Sequence, residues 1–70
     1  MPVKTIEAKV GDRVKALREQ RGLLQRDLAT AAGLPPRTVG RLERGEVDAR
    51  LSTLTKVAVA LKVDVKDLLP

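Results

Sequence analysis

Arg37, Arg41 and Arg44 lie in the segment PRTVGRLER (36–44) at a spacing that would place them on one stripe of a helix, with Gly40 between them and Val39 and Leu42 on the other side. A guanidinium offers several N–H donors in a planar fork, which suits the O6 and N7 atoms of a guanine edge or the oxygens of a phosphate. The chemistry this stripe points to is recognition of a base or an anion, with no bond made or broken. The bland alternative, for any basic helix, is a solvated charged face.

The rest of the composition narrows that chemistry. The chain has 70 residues, no histidine and no cysteine, so the commonest metal ligand, the commonest general base and every thiolate are missing. No nucleophile-base set and no carboxylate pair in a cleft is discernible, and neither an enzyme nor a metal or other cofactor is expected. A net charge of +5 favours a polyanionic partner. The absence of Phe, Trp and Tyr removes the stacking platforms of single-strand binders, which leaves double-stranded DNA as the expected nucleic acid. No apolar run approaches a membrane span and MPVKTIEAK has no signal-peptide core, so the expectation is a soluble, cytoplasmic protein with no membrane partner.

The arginine stripe needs elements to position it. Leu28, Ala29 and Ala32 fall at helical spacing, Gly33 and Leu34 break it, and Val39 and Leu42 resume it after Pro35 and Pro36. This predicts a helix over about 25–32, a tight turn, and a second helix over about 36–44 closed by Gly45. Ala29 is small enough for two helices to approach steeply, and Gly33 accepts the positive φ of so short a turn. Pro36 suits the first helical position, where its missing N–H would have had no intrahelical partner.

Upstream, Val10, Val14 and Leu17 form a stripe that predicts a helix over Val10 to Arg21, stopped by Gly22. Residues 1–9 show no period and are expected to be an N-terminal arm, either frayed or, through Lys4 and Lys9, a basic arm on DNA. Arg18 stands at the edge of the stripe, where its side chain runs into the core and needs a carboxylate, for which Glu43 is the candidate. Downstream, Glu46 to Arg50 reads as a polar connection whose acidic Glu46 and Asp48 argue against a major phosphate clamp. Leu51, Leu54, Val57, Ala58 and Leu61 mark a fourth helix, and Asp64 with Asp67 caps a last short helix carrying Val65, Leu68 and Leu69. The predicted core includes Leu28, Ala32, Leu34, Val39 and Leu42.

With these residues in place the sequence resembles the Cro/cI-type helix-turn-helix family, a lambda-repressor-like domain, from about Val10 to Leu69. The motifs are VKALREQRGL at 14–23, Gln25-x-x-Leu28-Ala29, Ala32-Gly33-Leu34, the run from Thr38 to Gly45, and Leu54-x-x-Val57-Ala58-x-Ala60-Leu61-x-Val63. The resemblance implies an all-α five-helix domain over 10–69 with the third helix in the DNA major groove. It implies base-reading roles for Pro36, Arg37 and Arg41, a phosphate contact for Gln25, a buried Arg18–Glu43 salt bridge, and a dimer contact around Val65 and Leu68. Gly40, on the same stripe, joins the base-reading group as a point of close backbone approach. Arg26, Thr38, Arg44 and Arg50 are candidate phosphate contacts, Arg44 alternatively serving the helix dipole. Leu69 joins the expected interface, the alternative being that Leu68 and Leu69 close the core. Three positions depart from the family pattern: Leu24 replaces a polar cap, Pro36 offers a base only apolar contact, and Gly40 weakens its helix by about 1 kcal/mol relative to alanine.

The function so implied is that of a sequence-specific transcriptional regulator, most simply a repressor, binding a palindromic operator as a homodimer. The alternative is an antitoxin or protein-interaction adaptor built on the same scaffold.

Overall fold

The computed structural model describes residues 5–47 and 49–70. Among them the chain forms four α-helices, α1 (Ile6–Gln20), α2 (Gln25–Ala32), α3 (Pro36–Glu43) and α4 (Leu51–Leu61), followed by one short 3-10 turn, Val65–Leu68. The element expected to be a fifth α-helix is that single 3-10 turn, too short to complete an α-helical ladder.

α1 begins at Ile6, four residues ahead of its apolar stripe. Thr5 caps it, its hydroxyl accepting from the Ala8 N–H at 3.1 Å, and Glu7 lies in the first turn, where the helix dipole favours a negative charge. Residues 6–9, expected to belong to the arm, are therefore helical, and Lys9 is part of α1; Met1 to Lys4 lie outside the described residues. The apolar pattern could not reveal this turn, because Ile6 is 64% exposed.

Among the described residues thirteen side chains make one core: Val10, Val14 and Leu17 from α1, Leu28, Ala29 and Ala32 from α2, Val39 and Leu42 from α3, Leu54, Val57, Ala58 and Leu61 from α4, and Leu68. Leu34 packs at its rim, half-buried. Leu51, expected on the inner stripe of α4, is instead exposed at the first position of that helix. The 3-10 turn is tied down by Arg13, whose Nε donates to the Asp67 carbonyl at 2.8 Å, while the Asp67 carboxylate accepts from the Asp64 N–H at 3.0 Å. Leu68 is fully buried between these elements. Its side chain is committed to the core and is not available to a dimer interface, which corrects that expectation; Val65 is half-buried and Leu69 exposed.

Two glycines let α1 lie against the end of α3 with almost no side chain between them. A Cβ on Gly11 would stand 2.4 Å from the Leu42 carbonyl oxygen and 2.7 Å from that of Glu43, closer than atoms can pack. Gly45, at φ 71°, turns the chain after α3 and brings its own Cα within a Cβ's reach of Ala8. The back of α3 is therefore fixed backbone to backbone, and its front is left to solvent.

Candidate nucleic-acid interface

The turn between α2 and α3 sets the geometry. Gly33 takes φ 68° and ψ 35°, and the Leu34 N–H returns to the Ala29 carbonyl at 2.9 Å, so α2 ends within one residue. Pro35 is extended and Pro36 is the first residue of α3. Because Leu24 carries no acceptor, α2 lacks the usual side-chain cap, but the Asp27 carboxylate accepts from the Leu24 N–H at 2.9 Å and supplies the reciprocal half of such a motif.

Val39, Leu42 and Glu43 form the buried face of α3, and Pro36, Arg37 and Arg41 are exposed on its outer side. Neither the Arg37 nor the Arg41 guanidinium has a hydrogen-bond or ion-pair partner among the described residues. Arg26 and Arg50 are exposed as well, Arg50 as the residue that caps α4, while Thr38 is half-buried.

Gly40 differs from its expected place. It is buried beneath side chains: a Cβ there would meet Nη1 of Arg44 at 3.1 Å and Oε1 of Gln25 at 3.3 Å. The glycine forms a notch over which these two side chains lie. These two side chains, and not open solvent, cover its backbone on the outer side.

Behind the notch is the pair expected from Arg18. Its Nε donates to Glu43 Oε2 at 2.6 Å and its Nη2 to Oε1 at 3.1 Å, a two-pronged contact between residues only 8% and 7% exposed. Nη1 donates to the Leu23 carbonyl at 2.6 Å, which links the end of α1, the loop before α2 and the end of α3. The hydrogen bond to Glu43 holds the Arg18 pKa above its ordinary value, against the opposing effect of burial. Gln25 Nε2 completes the cluster, donating to Glu43 Oε1 at 3.0 Å. The expected phosphate-contacting residue is thus tethered to the buried ion pair.

At the end of the outer stripe, Arg44 is paired with Glu46: Nε donates to Oε2, and Nη2 approaches Oε1 at 3.5 Å. This hydrogen bond raises the Arg44 pKa and lowers that of Glu46, and the charge of Arg41 also lowers Glu46. Sequence reasoning saw Glu46 as an acidic loop residue and did not pair it. The available signal was the Arg-Gly-Glu order at 44–46, in which a turn at Gly45 folds the carboxylate back onto the arginine.

A helix-turn-helix family description matches residues 14–68, which include every element from mid-α1 to the final turn. The chain belongs to this family, the Cro/cI-type helix-turn-helix proteins. It is 38% identical over 61 residues to the HTH-type transcriptional regulator DdrOP3 of Deinococcus deserti, covering 87% of the chain and 47% of that protein. It is 43% identical over 56 residues to the immunity repressor protein of Bacillus phage phi105, covering 80% of the chain and 39% of the repressor. The chain thus spans less than half the length of either regulator. Among solved structures, the restriction-modification controller protein C.AhdI from Aeromonas hydrophila superposes with a TM-score of 0.88 at 36% identity, over 90% of this chain and 96% of that one. The clp gene regulator ClgR from Corynebacterium glutamicum superposes with a TM-score of 0.89 at 27% identity, over 94% and 86%. No described helix is long and apolar enough to cross a membrane.

Proposed function

We propose that the chain binds double-stranded DNA in a sequence-specific manner through α3 and regulates transcription in the cytoplasm of a bacterium or of a phage-infected cell, most simply as a repressor. The observation that carries this is the outer face of α3: Pro36, Arg37 and Arg41 are exposed on a helix whose opposite face is fixed to the core, with the N-terminus of α2 beside it. In this reading Arg37 and Arg41 read guanine edges, and Pro36 touches an apolar part of a base such as a thymine methyl. Gln25 at the start of α2, Arg26, Thr38 and Arg50 hold phosphates. Arg18 and Glu43 set the angle between the two helices. No cofactor takes part.

The operator is palindromic and the bound form a homodimer whose contact uses Val65, at the start of the final turn, and Leu69, just after it. That apolar patch is small, so the free protein is a weak dimer or a monomer that pairs on DNA. Selection from random duplex DNA tests the function: enrichment of a twofold-symmetric motif supports it. Weak, sequence-blind retention of all duplexes contradicts it and favours an antitoxin or adaptor whose essential partner is a protein. Affinity should also fall by about 10³ to 10⁵ between 50 and 200 mM salt if about 6 to 10 phosphates are neutralised.

A further inference from the structure

The outer stripe of α3 holds three arginines in two different states. Arg37 and Arg41 have no ion-pair partner among the described residues, whereas the Arg44 guanidinium is gripped by Glu46. The backbone of Glu46 is anchored to the helix end. The turn at Gly45 brings it back onto the helix end, and its N–H donates to the Arg41 carbonyl at 3.0 Å. Arg44 reaches the carboxylate while folded back along α3, and the missing side chain at Gly40 makes room for it: Nη1 lies 3.1 Å from where a Cβ would stand. Both side chains remain about half exposed, 58% and 48%, so the pair sits at the rim of the candidate interface and not beneath it.

A closed pair of this kind carries no net charge. It displaces no counterions from DNA, and a carboxylate held at the rim repels approaching phosphates. We infer that Glu46 withholds Arg44 from the DNA backbone and so limits how tightly the chain holds duplex DNA of any sequence. The inference rests on the DNA-binding reading above and adds a residue that sets affinity without reading a base. Its effect falls most heavily on non-cognate DNA, where backbone charge supplies essentially all of the binding. Glu46 thereby favours specificity by suppressing its competitor.

The test is a salt titration of affinity for a short mixed-sequence duplex, by fluorescence anisotropy, with the wild-type chain, Glu46→Gln, and the double variant Arg44→Gln/Glu46→Gln. Both residues are exposed, and circular dichroism checks that each variant is folded. Releasing one cation per protomer should steepen the plot of log affinity against log salt by about 0.9 per protomer in Glu46→Gln and tighten binding by roughly tenfold per protomer near 50 mM salt. The double variant should return to the wild-type slope, since it removes a pair that was already neutral. If Glu46→Gln keeps the wild-type slope and affinity while the wild type remains salt-dependent, Arg44 was never withheld and the inference fails with the DNA reading intact. A double variant shallower than wild type by about 0.9 per protomer overturns it too, because Arg44 would then be engaging phosphate despite Glu46. A flat titration for the wild type removes both readings at once.

Discussion

Replacing Arg18 with alanine removes the two hydrogen bonds to Glu43 and the one to the Leu23 carbonyl, and leaves the carboxylate of Glu43, a residue 7% exposed in the intact pair, with Gln25 Nε2 as its one remaining donor among the described residues. Breaking a buried pair from one side costs about 3 to 5 kcal/mol, chiefly because the remaining charge cannot be solvated. At roughly 0.05 to 0.15 kcal/mol per residue, a chain of 70 residues has a total stability of about 3.5 to 10 kcal/mol. Arg18→Ala should therefore remove roughly 30% or more of the stability, and at the low end of that range leave the chain largely unfolded at 25 °C. The melting temperature falls by about 4 to 8 °C for each kcal/mol in a domain of this size. Removing both charges is a different perturbation. Arg18→Met with Glu43→Leu strands no ion, and such exchanges are often neutral or stabilising, so the double variant should be more stable than the single one. Urea denaturation followed at 222 nm measures both. Arg18→Ala within about 1 kcal/mol of wild type, or a double variant no better than the single, would refute the assignment of Arg18–Glu43 as a desolvated pair.

Arg41→Ala should cost about 1 to 3 kcal/mol on the best operator and relax the preference at one base pair per half-site, whereas Gln25→Ala should weaken all sequences nearly alike; binding to a panel of operator variants separates the two, and uniform loss in Arg41→Ala contradicts base reading by that residue. Gly11→Ala should destabilise the fold by about 1 to 3 kcal/mol or more, since α1 must move off the Leu42 carbonyl, and a melting temperature unchanged from wild type would disprove that contact. Leu68→Glu should lose helical signal at every protein concentration because it buries a charge, while Leu69→Glu should stay folded and lose only concentration-dependent mass in sedimentation. The Glu46 carboxyl should titrate below its ordinary value of 4.5, because the hydrogen bond from Arg44 favours its charged form, so the pair opens at a lower pH than that at which an unpaired glutamate protonates. Carbon NMR of that carboxyl gives the midpoint, and one at or above 4.5 would show the pair to be open in solution.

Much of the helical framework was legible because burial wrote it in apolar spacing. Val14, Leu17, Leu28, Val39, Leu42, Val57 and Leu61 are buried at helical intervals, and Gly33 marks the turn between α2 and α3. The Arg18–Glu43 pair could be found from one residue, since a cation at the edge of an apolar stripe requires a partner. What escaped was carried by other signals. The first turn of α1 is held by the Thr5 cap and has an exposed Ile6, so it left no period to read. Gly11 was not singled out, because its role lies against the backbone of Leu42 and Glu43, far along the chain. Leu68 read equally well as core or interface, and only the docking of the final turn onto α1 through Arg13 decides between them. At the outer stripe, spacing placed Gly40 and Arg44 beside Arg37 and Arg41 but could not show that long side chains fold over the first and that Glu46 occupies the second.

The close seating of α1 on the end of α3, through Gly11 and Gly45, has a consequence for how this chain can change. The residues that secure α3 are Val39, Leu42, Glu43 and the carbonyls facing Gly11, and none of them is exposed on its outer side. The side chains of Pro36, Arg37 and Arg41 are exposed and lie outside the buried core. Under the proposed docking, a descendant or an engineered library can exchange these three side chains and acquire a different operator without repacking its interior. The fold tolerates such drift because surface substitutions away from special contacts typically alter stability by no more than about 0.5 kcal/mol. Regulators that diverge after duplication can thus part company in the genes they address while keeping one inherited frame.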